Sequence, residues 1–255
     1  MRRTRLFSVV LSGLLLVPPF AGPVVAQVGA GNVAEVACDK IQPGKNRQYE
    51  EGAKKHIGWH RRQNDSWTWV AWQVITGEDT GTYCWGSFGH AWEDFDSPGV
   101  PPDAELADWE ITGAPFVQST EVSFWTYLSK VSKPIEGEPA MSEVIFVHTR
   151  YGTEEKFNYL VGEFHKAIEK TNMPWKYEWY ALANGGDAGT YALVLPRPNY
   201  AAFNPTGKTF PQVLEEAYGK AGAEALLARW RKVVKNANSE LARSRTDLSY
   251  IPAAQ

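Results

Sequence analysis

The spacing of apolar residues along the chain predicts a succession of strands and helices. Short runs rich in β-branched and apolar residues predict strands at 33–41, 67–76 and 82–88. The segment 45–63 between the first two strands carries helical periodicity. The same order recurs later in the chain, with strands predicted at 143–149, 175–183 and 190–195 and a helix predicted at 154–171.

The recurrence predicts an internal repeat. An ungapped shift of 108 residues aligns 35–99 with 143–207 and gives 12 identities in 65 positions, where ordinary residue frequencies give about 4. The cluster Gly-x-Asp-x-Gly-Thr-Tyr occurs in both copies at that offset, at 77–83 and 185–191. We therefore interpret the chain as a duplication, with a first unit at 27–139 and a second at 140–255.

The two copies differ after the third strand. The segment 211–243 predicts one long helix, whereas 102–127 is interrupted at Gly113 and Pro115. Short closing strands are expected at 129–135 and 246–251. The predicted fold class is α+β, with two tandem ferredoxin-like β-α-β-β-α-β units.

The middle strands are apolar on both faces. In the first copy Val70, Trp72 and Val74 share one face, and Trp69 and Ala71 share the other. A sheet with one wet face alternates apolar and polar residues, so we expect helices on one face and the second sheet on the other. The chain thereby resembles the dimeric α+β barrel superfamily in a fused, intramolecular form, with NIPSNAP-like and antibiotic-biosynthesis-monooxygenase-like groups as the nearest shapes.

This resemblance rests on topology and implies two kinds of site. Haem-using members of the superfamily place a histidine at the iron, and cofactor-free oxygenases line their pocket with aromatic and polar residues. The chain matches neither pattern residue by residue, so the cofactor stays unknown. The candidate ligand-binding residues on or beside predicted strands are Trp69, Trp72, Tyr83, His90, His148, Trp179 and Tyr191; core filling is the alternative for Tyr83 and Tyr191, and a structural role for the histidines.

Cys38 and Cys84 fall on the first and third predicted strands, which are antiparallel neighbours in a ferredoxin-like unit. Their counterparts in the second copy are Phe146 and Ala192, a pair suited to facing positions. A disulfide between the two cysteines is therefore plausible, with two buried thiols as the alternative.

Two further polar patterns are interpreted as structural. His56 and His60 share one face of the first predicted helix, but Ile57 stands where a zincin motif has its glutamate. Because Lys54, Lys55, Arg61 and Arg62 flank the pair, we expect a solvated basic face and no metal. Asp79 and Asp187 are expected to serve their hairpin turns, with a ligand or calcium contact as the alternative.

The N-terminal residues predict export. Three arginines precede an apolar run too short to span a bilayer, and Val24, Val25 and Ala26 suit a cleavage site, so 1–26 has the pattern of a signal peptide. Removing three positive charges takes the formal charge from −3 to −6, which argues against nucleic-acid binding. We expect a protein in the periplasm or outside the cell, without a membrane span after signal removal, as a monomeric pseudo-dimer or a homodimer.

The sequence contains no nucleophile elbow, phosphate-binding loop or dinucleotide fingerprint. The favoured function is binding of a small hydrophobic or aromatic molecule in a barrel-like pocket. The alternatives are an oxidoreductase of the same fold, haem-dependent or cofactor-free, and a structural protein without a ligand.

Overall fold

The computed structural model describes residues 31–204 and 207–252. Within these residues the chain forms an eight-stranded antiparallel sheet and four α-helices. In chain order the elements are β1 (Val33–Ile41), α1 (Asn46–Gln63), β2 (Val70–Val74), β3 (Tyr83–His90), α2 (Pro102–Thr112), β4 (Val117–Tyr127), β5 (Met141–Thr149), α3 (Glu154–Lys170), β6 (Glu178–Asn184), β7 (Thr190–Arg197), α4 (Phe210–Val233) and β8 (Val234–Ser244).

The eight strands close into a barrel in the order β1-β3-β2-β8-β5-β7-β6-β4. Each half of the chain supplies four adjacent strands, and two antiparallel pairings join the halves. In one of them Trp72 of β2 lies opposite Ser244 of β8, and in the other Tyr127 of β4 lies opposite Tyr180 of β6. The element order matches the two units expected from sequence; their origin by duplication stays a prediction.

The helices cover the outside of the barrel. The inner faces of α1 and α3 bury apolar side chains against it: Tyr49, Ala53 and Ile57 on α1, and Phe157, Leu160 and Phe164 on α3. Burial of a large apolar side chain such as Ile57, Phe157 or Leu160 contributes about 1.5–3 kcal/mol. The strand side chains that point into the barrel are therefore not covered by these helices.

Two pairs of residues 108 positions apart occupy left-handed backbone conformations. Gly44 and Gly152 have φ of 76° and 74°, each just before a helix. Asn64 and Asn172 have φ of 54° and 52°, each just after one. Glycine and asparagine tolerate this region better than other residues, so these identities mark turns that both halves need.

The fourth strand of the first half differs from the prediction. Residues 117–127 form β4, and the expected strand at 129–135 is a short 3₁₀ turn at Ser129–Val131 followed by irregular chain. The helix expected in 102–127 is α2, which ends at Thr112 before Gly113 and Pro115. β4 pairs along its length with β1, and this pairing determines where the strand lies.

The end of the chain also differs. The helix predicted over 211–243 stops at Val233, and 234–244 form β8 between β2 and β5. Pairing with two neighbours outweighs the helical composition of this segment. The strand expected at 246–251 is a single bridge, in which Tyr250 pairs with Trp69 of the first half.

Residues 1–26, interpreted as a signal peptide, lie outside the described residues. Among the helices that the structure describes, none combines the length and the hydrophobicity needed to cross a bilayer.

Candidate functional site

The barrel encloses a cavity of about 720 Å³, which we call the barrel cavity. Alternate residues of every strand face it because successive side chains of a strand point to opposite faces. Its apolar wall is formed chiefly by Val36, Trp72, Phe88, Trp125, Val144, Phe146, Tyr180 and Leu182. Inward positions that small barrels fill with large side chains are here Ala34, Ser123 and Ala192, which leaves the space open.

A disulfide forms part of the wall. Cys38 and Cys84 are directly opposite on β1 and β3 and are joined in the structure. On β5 and β7 the equivalent register pairs Phe146 with Ala192, as the comparison of the two copies suggested. The disulfide therefore ties two strands of the barrel together beside the cavity.

One end of the barrel cavity is polar. Because all neighbouring strands are antiparallel, the turns from β2 to β3 and from β6 to β7 leave at the same end, which we call the hairpin end. Asp79 and Asp187 of these turns line the cavity there. Lys40 and His148 line it as well, at the ends of β1 and β5.

The acidity of Glu240, which also lines the cavity, is altered by its surroundings. It projects from β8 into the cavity, where burial, and to a smaller extent the charge of Asp79, raises its pKa to about 7. A carboxyl group with this pKa can hold or release a proton near neutral pH.

The opposite end is lined by the segment that links the two halves. Ile135 and Glu138 belong to it and contribute to the cavity wall. Glu178 of β6 accepts hydrogen bonds from the Ile135 backbone N–H at 3.1 Å and the Tyr180 hydroxyl at 2.8 Å, so its carboxylate is already satisfied. Glu138 accepts a hydrogen bond from Ser244. We call this the linker end.

Two of the seven candidate ligand-binding residues, Trp72 and His148, line the barrel cavity. The other five do not line it. Trp179 and Tyr191 pack against Phe157 of α3, with ring centroids 5.8 and 4.1 Å away. The core-filling alternative therefore describes the surroundings of Tyr191.

Tyr83, Trp69 and His90 also lie on the outer face of the first half. The Tyr83 hydroxyl donates to Glu50 of α1, and the Trp69 indole donates to Asp65 at 3.3 Å. His90 is buried against Trp67, with 3.9 Å between ring centroids. The alternation along each strand shows which residues share a face, but not which face encloses the cavity.

The histidines considered for haem do not fit an iron ligand. His90 Nε2 is 2.6 Å from Ser87 Oγ, and its Nδ1 is 3.9 Å from Asp94. His148 contacts Thr190 Oγ1 through Nδ1 at 3.1 Å and Asn238 Oδ1 through Nε2 at 3.3 Å. Neither ring offers an uncommitted nitrogen to the cavity.

Several cavity residues were missed from sequence. Ser119, Glu121, Ser123 and Trp125 alternate along β4, and Asn238, Glu240 and Ala242 alternate along β8. The period-2 pattern of 117–127 was the available signal. The prediction from sequence places this segment in the interrupted region 102–127 and therefore misses the strand.

The expectation of a solvated surface at His56 and His60 is wrong for the histidines themselves. Lys54 and Arg61 are exposed as expected, but His60 is buried and His56 half-buried, because both face α2. Helical spacing placed the two rings on one face, and the packing of α2 over that face could not be deduced from it.

No protein-family model matches the chain, and a search of curated proteins found no relative. Solved structures with a similar fold include a candidate monooxygenase from Lactobacillus acidophilus, with a TM-score of 0.54, 9% identity and coverage of 88% of this chain and 98% of that one. An anthrone oxidase-like protein gives 0.53 with 9% identity and coverage of 88% and 94%. A variant chlorite dismutase from Candidatus Nitrospira defluvii gives 0.53 with 8% identity and coverage of 87% and 94%.

At these identities the comparisons establish the fold alone, and the NIPSNAP-like assignment stays a prediction. The solved neighbours belong to the dimeric α+β barrel superfamily. The chain therefore has the dimeric α+β barrel fold, in a form in which one chain supplies all eight strands.

Proposed function

We propose that the protein binds one small, largely apolar or aromatic molecule inside the barrel cavity. The observation that carries the proposal is a space of about 720 Å³ inside the barrel, lined by Trp72, Trp125 and Phe146. Sites for small molecules have volumes of about 300–1,000 Å³, mostly apolar walls and a few polar groups.

The hairpin end supports a preference among such molecules. Six acidic side chains line the cavity, among them Asp79, Glu121, Asp187 and Glu240, against the positive charge of Lys40. An anionic group is repelled by this balance, whereas a hydroxyl or amine group on an aromatic ring can donate to the carboxylates. We therefore propose a neutral or hydrogen-bond-donating ligand.

Filling the cavity tests the proposal. Val144→Trp places a large ring at the middle of β5, where the strand register sets Val144 between Glu240 and Val194. With N-phenyl-1-naphthylamine as a neutral fluorescent probe, the substitution is expected to raise the Kd at least tenfold, because the added ring occupies the ligand's volume.

Val122→Trp is the matched control, since Val122 lies on β4 with 45% of its surface exposed outside the barrel. It is expected to leave the Kd within twofold of the parent value. Binding that survives in Val144→Trp, or a parent protein that does not bind the probe, would contradict the proposal.

A second candidate function is oxidation of the bound molecule. Two of the solved neighbours are described as a monooxygenase and an anthrone oxidase-like protein, and Glu240, with a pKa of about 7, provides a carboxylate suited to act as a general base inside the cavity. Anthrone is the probe, and we expect its conversion to anthraquinone in air to slow at least tenfold in Glu240→Gln. Equal rates in the parent, in Glu240→Gln and in buffer would leave binding as the function.

A further inference from the structure

A second group of side chains lies outside the barrel cavity, between α1 and α2. His56 and His60 project from adjacent turns of α1, and Glu105 projects from α2. One ligand atom from each of the three lies within 4.8 Å of the other two. We call these three residues the His56 cluster.

The hydrogen bonds at the far side of each ring determine where the imidazole lone pairs point. His56 Nδ1 is 2.8 Å from Asp108 Oδ2, and His60 Nδ1 is 2.8 Å from Asp65 Oδ2. A carboxylate accepts hydrogen bonds, so each Nδ1 carries the proton. In neutral rings both Nε2 atoms then present lone pairs.

Those two lone pairs face each other. His56 Nε2 and His60 Nε2 are 3.2 Å apart, and Glu105 Oε1 is 3.6 Å from His60 Nε2. Two lone pairs at this distance repel unless a shared proton or a metal ion lies between them. A tetrahedral ion with bonds of about 2.0–2.1 Å sets its ligand atoms roughly 3.3 Å apart, so the two imidazoles need almost no movement to bind one.

Neighbouring side chains fix the positions of the two imidazole rings. Asp65 is buried, and its Oδ1 accepts the Trp67 backbone N–H at 2.9 Å. Trp59 stacks on His56 with an interplanar angle of 4°, and Tyr250 stacks on His60 at 29°. A carboxylate at the outer nitrogen of a ligating histidine fixes its tautomer and orientation in metal sites.

We propose that His56, His60 and Glu105 bind a divalent transition-metal ion, oriented by Asp65 and Asp108. Two imidazoles and one carboxylate are a ligand set for zinc and for non-haem iron(II), whereas magnesium and calcium prefer oxygen alone. Glu105 is 30% exposed in its side chain and His56 12%, so solvent reaches one side of the cluster. The ion thereby keeps a position for water or a small ligand.

The site is independent of the proposed ligand binding, because none of its residues lines the barrel cavity. The second half supplies a control: His165 and Glu169 also face each other at 3.5 Å, without a second histidine. His165→Ala removes a partly accessible imidazole that belongs to no such cluster.

The experiment is a zinc titration of purified, tag-free protein after removal of bound metal with a chelator, followed by calorimetry. We expect one zinc ion per chain. Glu105→Gln and Asp108→Asn should weaken the Kd at least tenfold, because one removes a charged ligand and the other an orienting carboxylate. His165→Ala should leave it within twofold.

Absence of stoichiometric binding, as expected if the imidazoles merely share a proton, would overturn the proposal, as would an equal loss in His165→Ala. A measurement on the unaltered protein covers the case in which a variant fails to fold. Zinc should shift the side-chain NMR signals of His56 and His60 and leave those of His90, His148 and His165 in place. Shifts confined to the latter three would refute the site.

Discussion

Glu240 illustrates how much one residue depends on its surroundings. It lies on a strand between exposed polar residues and an apolar pair, Leu241 and Ala242, and nothing in that local sequence distinguishes it from a surface glutamate. Barrel closure brings it into the cavity near Asp79. Burial together with that charge raises its pKa from 4.5 to about 7.

This pKa predicts a pH dependence of stability. A carboxyl group whose pKa is raised by folding binds more protons in the folded than in the unfolded state between pH 4.5 and 7, so the free energy of unfolding falls as pH rises through that window. Glu240→Gln replaces the titrating carboxyl group with a neutral amide and therefore removes this fall in the free energy of unfolding. We expect the variant to be more stable than the parent at pH 8, by on the order of 1–3 kcal/mol after allowance for water at the cavity mouth, and to show little gain at pH 4.

Urea denaturation at the two pH values measures the effect. Glu215→Gln, an exposed change on α4, is the control and should show the same difference from the parent at both pH values. A gain in Glu240→Gln that is equal at pH 4 and pH 8 would show that Glu240 titrates normally.

At the scale of the elements, local sequence determines the backbone conformation at the ends of α1 and α3. Asn64 and Asn172 both follow their helices in left-handed conformations and are exposed. The two asparagines are also identical in the alignment of the two copies at a shift of 108 residues. The turn at Asn64 also brings Asp65 beneath His60, with the Asp65 backbone N–H bonded to the His60 carbonyl at 3.1 Å.

The conformation predicts the effect of substitution at either asparagine. Asn64→Ala and Asn172→Ala are each expected to lower the free energy of unfolding by about 1 kcal/mol, because alanine is less tolerant of positive φ. Asn64→Gly and Asn172→Gly should change it by less than about 0.5 kcal/mol or raise it. Urea denaturation distinguishes the two classes, and alanine variants as stable as the glycine variants would refute the explanation.

The strands β4 and β8 show the opposite case. β8 falls in the second part of the long helix predicted over 211–243, and β4 falls in the interrupted region 102–127. Both are held by pairing on two sides, β4 with β1 and β6, β8 with β5 and β2. β4 had a strand-like alternation of its own. The Ala-, Glu- and Arg-containing run of β8 has little, and its conformation follows from the neighbours it pairs with.

At the scale of the whole molecule, strands from the two halves of the chain pair with each other and close one barrel. The C-terminal segment returns to the first half, where Leu248 and Tyr250 are buried and the Tyr250 hydroxyl donates to the Asp65 carbonyl at 2.8 Å. Residues near the C-terminal end of the described chain therefore contribute to the core of the first half.

The disulfide belongs to this scale because it spans 46 residues. A cross-link of that length stabilises a protein by about 2–4 kcal/mol, mainly by restricting the unfolded chain. The double substitution Cys38→Ala and Cys84→Ala is expected to lower the free energy of unfolding by that amount in denaturation without reductant. Dithiothreitol should reduce the difference between parent and variant to about 1 kcal/mol or less.

Free thiols on both cysteines in the unreduced protein, detected by mass spectrometry, would remove this prediction. The proposed export of the chain is relevant here, since disulfides persist in oxidising compartments. A mature protein that begins at Gln27 would support that proposal.

The sequence by itself determined the elements with strong local signals. These are the helices α1 and α3, the hairpins with their Gly and Asp turns, and the α+β class. Each follows from periodicity, turn chemistry or a preferred backbone conformation, which act over a few residues.

The tertiary structure alone decided three things: which face of each strand encloses the cavity, where β4 and β8 lie, and how α2 covers His56 and His60. Trp72 and Trp69 illustrate the first, since both are aromatic on one strand segment, yet one lines the cavity and the other faces Asp65. These outcomes depend on contacts between residues far apart in the chain, and alternation or helical spacing is the same whichever partner packs against a face.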